Sequence, residues 1–197
     1  MKEARRRDLA ALVAAVRRDV TREARLYLVS TTSHLAEGWR EPVPRFELAG
    51  DLGAADLERA VIDAASALDI AVVWESPAEV IPLPSGSADR ARPVSVEVAG
   101  AGGPLEVLHF DPYSVVLRLV ARGDEPDYVN SLEYLRRGWV ELARLEALLA
   151  DVLPRFTSAT LAQDPAEFRR KFRGLRQLHT SEVAPGDARI LNARASD

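Results

Sequence analysis

The chain has 197 residues, 47% of them hydrophobic and 28% charged, with a formal net charge of −4 and no cysteine. That length supports one sizeable core, and the balance excludes wholesale disorder, disulfides and thiolate chemistry. The negative charge argues against general nucleic-acid binding, and no run approaches the roughly 18 apolar residues of a membrane-spanning helix.

The start, MKEARRRDLAALVAAV, has arginine-rich flanks, but Arg17, Arg18 and Asp19 interrupt its apolar part without a cleavage-like site. It reads as an amphipathic helix over 3–25 rather than a signal peptide, and the cysteine-free chain fits a cytoplasmic setting. Leu9, Leu12, Val13, Val16 and Val20 fall at helical spacing there. A short buried strand follows at 26–29. Residues 31–37 then form a helix that Gly38 stops. Residues 46–49 alternate as a strand, 50–53 turn, and 54–69 form a helix with Leu57, Val61, Ala64, Ala65 and Leu68 on one face. Residues 70–74 are again strand-like. The stretch 75–93, with Pro77, Pro82, Pro84 and Pro93, reads as an irregular excursion. Residues 94–98 and 105–110 flank AGAGG and read as a hairpin. Beyond them everything is helical, at 113–122, 127–137, 141–153 and 165–178, before an aperiodic end expected to be a mobile tail from 180 to 197.

Alternating strands and helices followed by a run of helices predict an α+β fold. Its α/β half spans 1–111, including the helix at 3–25, with a small mixed sheet; its helical half spans 112–179. No internal repeat recurs at a fixed period.

Five stretches stand in one order: LYLV…GWRE, SPAEVIPLPSG (76–86), HFDPYSVVLRLVARG (109–123), LRRGWVE (135–141) and DPAEFRRKF (164–172). Covering residues 26–178, this succession resembles a bacterial nucleotidyltransferase-like family of unknown function, related to abortive-infection and toxin–antitoxin nucleotidyltransferases. The resemblance implies a polymerase-β-type nucleotidyltransferase core. A glycine-containing pair after the first strand lets backbone N–H groups approach a triphosphate. An Asp-x-Asp pair on the next strand holds Mg²⁺, and a third carboxylate arrives from a later strand.

Carried over by residue, the glycine pair falls on Ser30 and Thr31, neither of which favours positive φ, although their hydroxyls can bond a phosphate. The Asp-x-Asp pair falls on Arg45 and Glu47, and the third carboxylate on Asp111. Arg45 sets a cation where the pattern has an anion; two unit charges about 4 Å apart interact by roughly 4 kcal/mol at an effective dielectric of about 20. Leu119 stands at a frequent lysine position, and Asp127 and Asn130 stand at an Asp pair. The resemblance therefore implies Ser30, Thr31 and Arg45 as nucleotide-binding candidates, and Glu47 and Asp111 as catalytic and Mg²⁺-ligand candidates, in a degenerate site. The expected function is a non-catalytic or repurposed binding or regulatory module in a toxin–antitoxin or defence setting, with a nucleotide or a protein as partner. The alternatives are an active transferase moving a nucleotide from an NTP to protein or RNA, and a structural protein that interacts through its C-terminal helices.

Plainer readings stand beside these. Arg45 is otherwise a surface arginine, and Glu47 and Asp111 are otherwise solvated or paired with arginines. His34, His109 and His179 lack zinc-site spacing, and no nucleophile-elbow sequence supports a Ser30–His109–Asp111 triad. Arg169, Arg170, Lys171, Arg173 and Arg176 form the most basic stretch, with Phe168 and Phe172 available either for base stacking or for burial on one helix face. AGAGG lacks the Lys-Ser/Thr ending of a phosphate loop and reads as a turn.

Overall fold

The computed structural model describes residues 3–51, 55–76, 81–156 and 164–183. The chain divides into two compact units, Met1–Ala78 with Ser85–Val115, and Glu79–Pro84 with Val116–Asp197. The fold is α+β, built from a five-stranded mixed sheet and eight α-helices among the described residues.

Helix α1 (Arg6–Asp19) buries Leu9, Leu12, Val13 and Val16, the apolar stripe of its sequence. Asp8 accepts a hydrogen bond from the Arg5 backbone N–H at 2.8 Å, closing the first turn. The helix stops six residues short of the expected 25, because Ala24 already pairs with Leu105 in the sheet. Strand β1 (Ala24–Leu28) is central, antiparallel to β2 (Phe46–Gly50) and parallel to β5 (Leu105–His109). Outside them lie β3 (Val72–Trp74), parallel to β2, and β4 (Arg92–Pro93), antiparallel to β5, for an order of β3-β2-β1-β5-β4. Leu26, Leu28, Phe46, Leu48, Leu105 and Val107 share one core with α1 and with α3 (Ala55–Ala67). At about 1.5–3 kcal/mol for each large apolar side chain buried, this face dominates the stability of the unit.

Residues 94–98 are not a strand. After the two-residue β4 they turn into the one-turn helix α4 (Val96–Ala99), which leaves Val96 71% exposed while Val94 and Val98 are buried. Positions 94 and 98 satisfy both an alternating and a helical pattern, so the sequence is ambiguous there. The AGAGG turn is held by Arg17, whose guanidinium donates to the Ala99 and Gly102 carbonyls. Carbonyls pointed at a cation serve structure, not phosphate.

Helix α2 (Thr31–Ala36) ends at Gly38, with φ +70°. Gly38 N–H donates to Leu35 at 3.0 Å and Trp39 N–H to His34 at 2.8 Å. In the second unit α6 (Glu125–Arg136) ends in the same way: Gly138 has φ +68°, its N–H donates to Leu135 at 3.0 Å, and Trp139 N–H donates to Tyr134 at 3.0 Å. The tryptophan in each copy lies over the aromatic ring five residues earlier, at 5.2 Å and 6.0 Å. Two leucine-x-x-glycine-tryptophan segments thus form matching glycine caps.

The second unit also holds α7 (Leu142–Val152) and α8 (Pro165–Val183), and most of α5 (Pro112–Arg122), whose first turn closes the first unit. Helix α8 runs five residues past the expected 178. Arg136 bonds Glu182, Thr180 Oγ1 donates to Arg176 O at 2.9 Å, and Ser181 Oγ donates to Gln177 O at 2.9 Å, so polar contacts carry the last turn. Residues 180–183 are therefore helical rather than tail, and the remainder of the expected tail lies outside the described residues.

Candidate functional site

The register brings the candidate residues to one end of the sheet. Leu28 pairs with Leu48 on one side and with His109 on the other. One step further, Val29 N–H donates to Glu47 O and Phe110 N–H to Leu28 O, both at 3.0 Å. Ser30, Arg45, Glu47 and Asp111 therefore lie around the carboxyl end of β1, with β2 and β5 two strand spacings apart, about 10 Å. All belong to the first unit.

Ser30 is the junction between β1 and α2. Its φ of +49° and ψ of −120° belong to the type II′ turn region that glycine normally fills. The expectation that serine avoids positive φ here is corrected: the chain keeps a glycine-type backbone and bears the strain, of order 1–3 kcal/mol. Ser30 is 3% exposed. The two hydroxyls that follow Thr31 are structural: Thr32 Oγ1 accepts from Glu47 N–H at 2.7 Å, and Ser33 Oγ donates to Leu28 O at 3.0 Å. Thr31 itself is half-buried in the first turn of α2.

Strand alternation puts Glu47 on the face of Tyr27, opposite the core. Arg45, 52% exposed, does not swing away and lies 3.8 Å from the Glu47 carboxylate. Glu47 itself is buried, so the pair joins a buried carboxylate to an exposed guanidinium at a loose distance.

Asp111 is engaged at both oxygens. Arg90 grips it with two hydrogen bonds, Nε to Oδ1 at 3.0 Å and a terminal nitrogen to Oδ2 at 2.7 Å. Tyr113 N–H, Ser114 N–H and Ser114 Oγ–H add bonds of 3.1, 3.3 and 2.6 Å. Asp111 is thus the N-cap of α5, with Pro112 at the first helical position. Sequence reading missed Arg90, which comes from the proline-rich excursion with no local signal to mark it.

His109 is buried, and its Nε2 lies 3.0 Å from Glu37 Oε1. Burial lowers its pKa to about 4, with Arg92 acting the same way and Glu37 only partly opposing. The imidazole is therefore neutral at pH 7 and Nε2–H donates to the carboxylate. His34 is buried beside Trp39.

Mg²⁺ does not fit this donor set. Asp111 has its oxygens engaged by a guanidinium and a helix start, and the Glu47 carboxylate lies beside the Arg45 guanidinium. Among the described residues no group of three or more acidic or histidine side chains could hold a metal.

In the second unit the basic stretch separates into two roles. Lys171 turns inward and donates to the Ala121 and Arg122 carbonyls at 2.7 and 2.8 Å, capping α5. Arg169, Arg170, Arg173 and Arg176 are exposed. Phe168 and Phe172 are buried, Phe168 stacking on Phe156 at 5.7 Å, so neither ring is available to a base. Leu119 is in the core, Asn130 is buried, and buried Asp127 pairs with Arg122 at 2.7 Å. No described helix is long and apolar enough to cross a membrane.

Comparison of the chain with protein-family models, with curated proteins and with solved structures finds no match.

Proposed function

We propose that the chain is a nucleotidyltransferase-fold protein whose transferase site is degenerate, and that it works as a binding or regulatory module, in a toxin–antitoxin or defence setting, rather than as a transferase. The observation that carries this reading is the state of Asp111. The one carboxylate that keeps the resemblance's expected identity at the end of β5 is already neutralised by Arg90 and spent on capping α5. Arg45 beside Glu47 adds a second cation where phosphoryl transfer needs a metal. Both changes occupy the carboxylates that would recruit the metal, and with it the metal's share of charge neutralisation, a dominant contribution to that chemistry.

One observation favours the competing reading of an active enzyme. Ser30 keeps a glycine-type turn between strand and helix, the backbone shape that a triphosphate cradle requires. The two readings part on incorporation of α-labelled ATP, CTP, GTP or UTP into total RNA, a co-expressed partner or the protein itself. The degenerate reading expects no label with Mg²⁺ or Mn²⁺. Label that disappears in Glu47→Ala would make Glu47 a functional ligand and the protein a transferase.

A further inference from the structure

The segment of residues 85–93 crosses the end of β5 and is fastened in an unusual way. None of its nine residues is buried, so apolar burial does not hold it down. Its only regular contact with the sheet is β4, two residues pairing Arg92 with His109 and Pro93 with Leu108, and Pro93 has no N–H to give. What enters the protein is the Arg90 side chain, 12% exposed against an Asp111 side chain at 0%. Arg90 also draws the segment together, donating to Ser85 O at 2.7 Å and lying 5.9 Å from the Tyr113 ring centre. A planar guanidinium meeting a carboxylate with two parallel hydrogen bonds is among the stronger polar fastenings a protein uses.

We infer that residues 85–93 form a strap whose middle is locked shut by the buried ion pair Arg90–Asp111, and that while the strap is shut no other cation reaches Asp111. The lock stands whether or not the fold is that of a nucleotidyltransferase. Its physics is asymmetric: with both partners present each buried charge is satisfied, and with either removed the other is left buried without a counter-charge. The strap's ends are held at buried Pro84 and Val94, and the polar residues Ser85 and Arg92 within it are exposed, where contacts contribute less. Loss of the pair therefore releases the middle of the strap locally while the apolar core of the unit stays folded.

Trypsin reads this directly, because cleavage after Arg90 requires its side chain to leave Asp111 and enter the protease. Arg90–Ala91 is the only susceptible bond in the strap, since Arg92 precedes proline. When opening and closing outpace cutting, the cleavage rate follows the open population. In the full-length protein, cleavage after residue 90 is expected to be at least about tenfold faster in Asp111→Asn than in wild type, the loss of a pair of charge-assisted hydrogen bonds. Arg90→Lys keeps the trypsin site and every cap bond to Asp111 but loses the fork, and it is also expected to cut faster. Millimolar Mg²⁺ is expected to leave the wild-type rate unchanged. If Asp111→Asn unfolds as a whole, all sites speed up together and Arg90→Lys decides. Cleavage in Arg90→Lys as slow as in wild type would overturn the lock. Acceleration of wild-type cleavage by Mg²⁺, against a control of matched ionic strength, would show that another cation displaces Arg90 and would overturn the exclusion.

Discussion

Ser30 holds a left-handed φ that serine rarely adopts, while its neighbours Thr32 and Ser33 pin the turn with their hydroxyls. Replacing it by glycine removes the steric strain and adds some unfolded-state entropy, so Ser30→Gly is expected to stabilise the protein by about 1 kcal/mol. Chemical denaturation checks this; a destabilised variant would mean that the hydroxyl matters more than the backbone. His109 supplies a pH dependence. Its folded pKa of about 4 lies below the ordinary 6.5, so between these values the unfolded chain binds the extra proton. The stabilisation is complete above pH 6.5 and is lost as pH falls toward 4, amounting to about 2 kcal/mol by pH 5. Urea midpoints at pH 7 and pH 5 should show that loss in wild type and a smaller one in His109→Gln, which retains a donor for Glu37. Equal losses in both proteins would place the titration elsewhere.

The elements show which signals a sequence carries. Helices α1 and α3 were legible because their apolar stripes recur at one period and serve one core, and Gly38 was legible as a stop because a left-handed cap asks for glycine. Residues 94–98 fit a strand as well as a helix because two periods coincide there, and the last turn of α8 carries no apolar signal because polar side chains hold it. The paired glycine caps allow a test of backbone cost alone. A Cβ at Gly138 meets nothing within 4 Å, so any penalty comes from φ. Gly138→Ala is expected to cost about 1 kcal/mol, or roughly 2–4 °C in melting temperature, and Gly138→Asn less. Thermal melts of the two variants check the order; an alanine variant as stable as wild type would show that the cap relaxes freely.

Across the whole molecule, the sequence carried the α+β class in the order of its elements, while only the resemblance implied the meeting of Ser30, Glu47 and Asp111 at the end of adjacent β2, β1 and β5. It could not reveal what those residues touch. Arg90 reaches Asp111 across 21 positions from an aperiodic stretch, and such a pairing leaves no local pattern. The site is therefore read from its partners: a carboxylate held by arginine and a helix start, and a second beside another arginine. The central claim is that this sheet end does not recruit a divalent metal with a nucleotide. Its most direct test is the melting temperature of the protein with ATP or GTP, each with and without Mg²⁺. A metal-dependent ligand present at about 100 times its dissociation constant adds about 2.7 kcal/mol of stability, which a melting curve resolves as several degrees. The account predicts the same melting temperature with nucleotide alone and with nucleotide plus Mg²⁺. A rise of several degrees that appears only when nucleotide and Mg²⁺ are present together would contradict it.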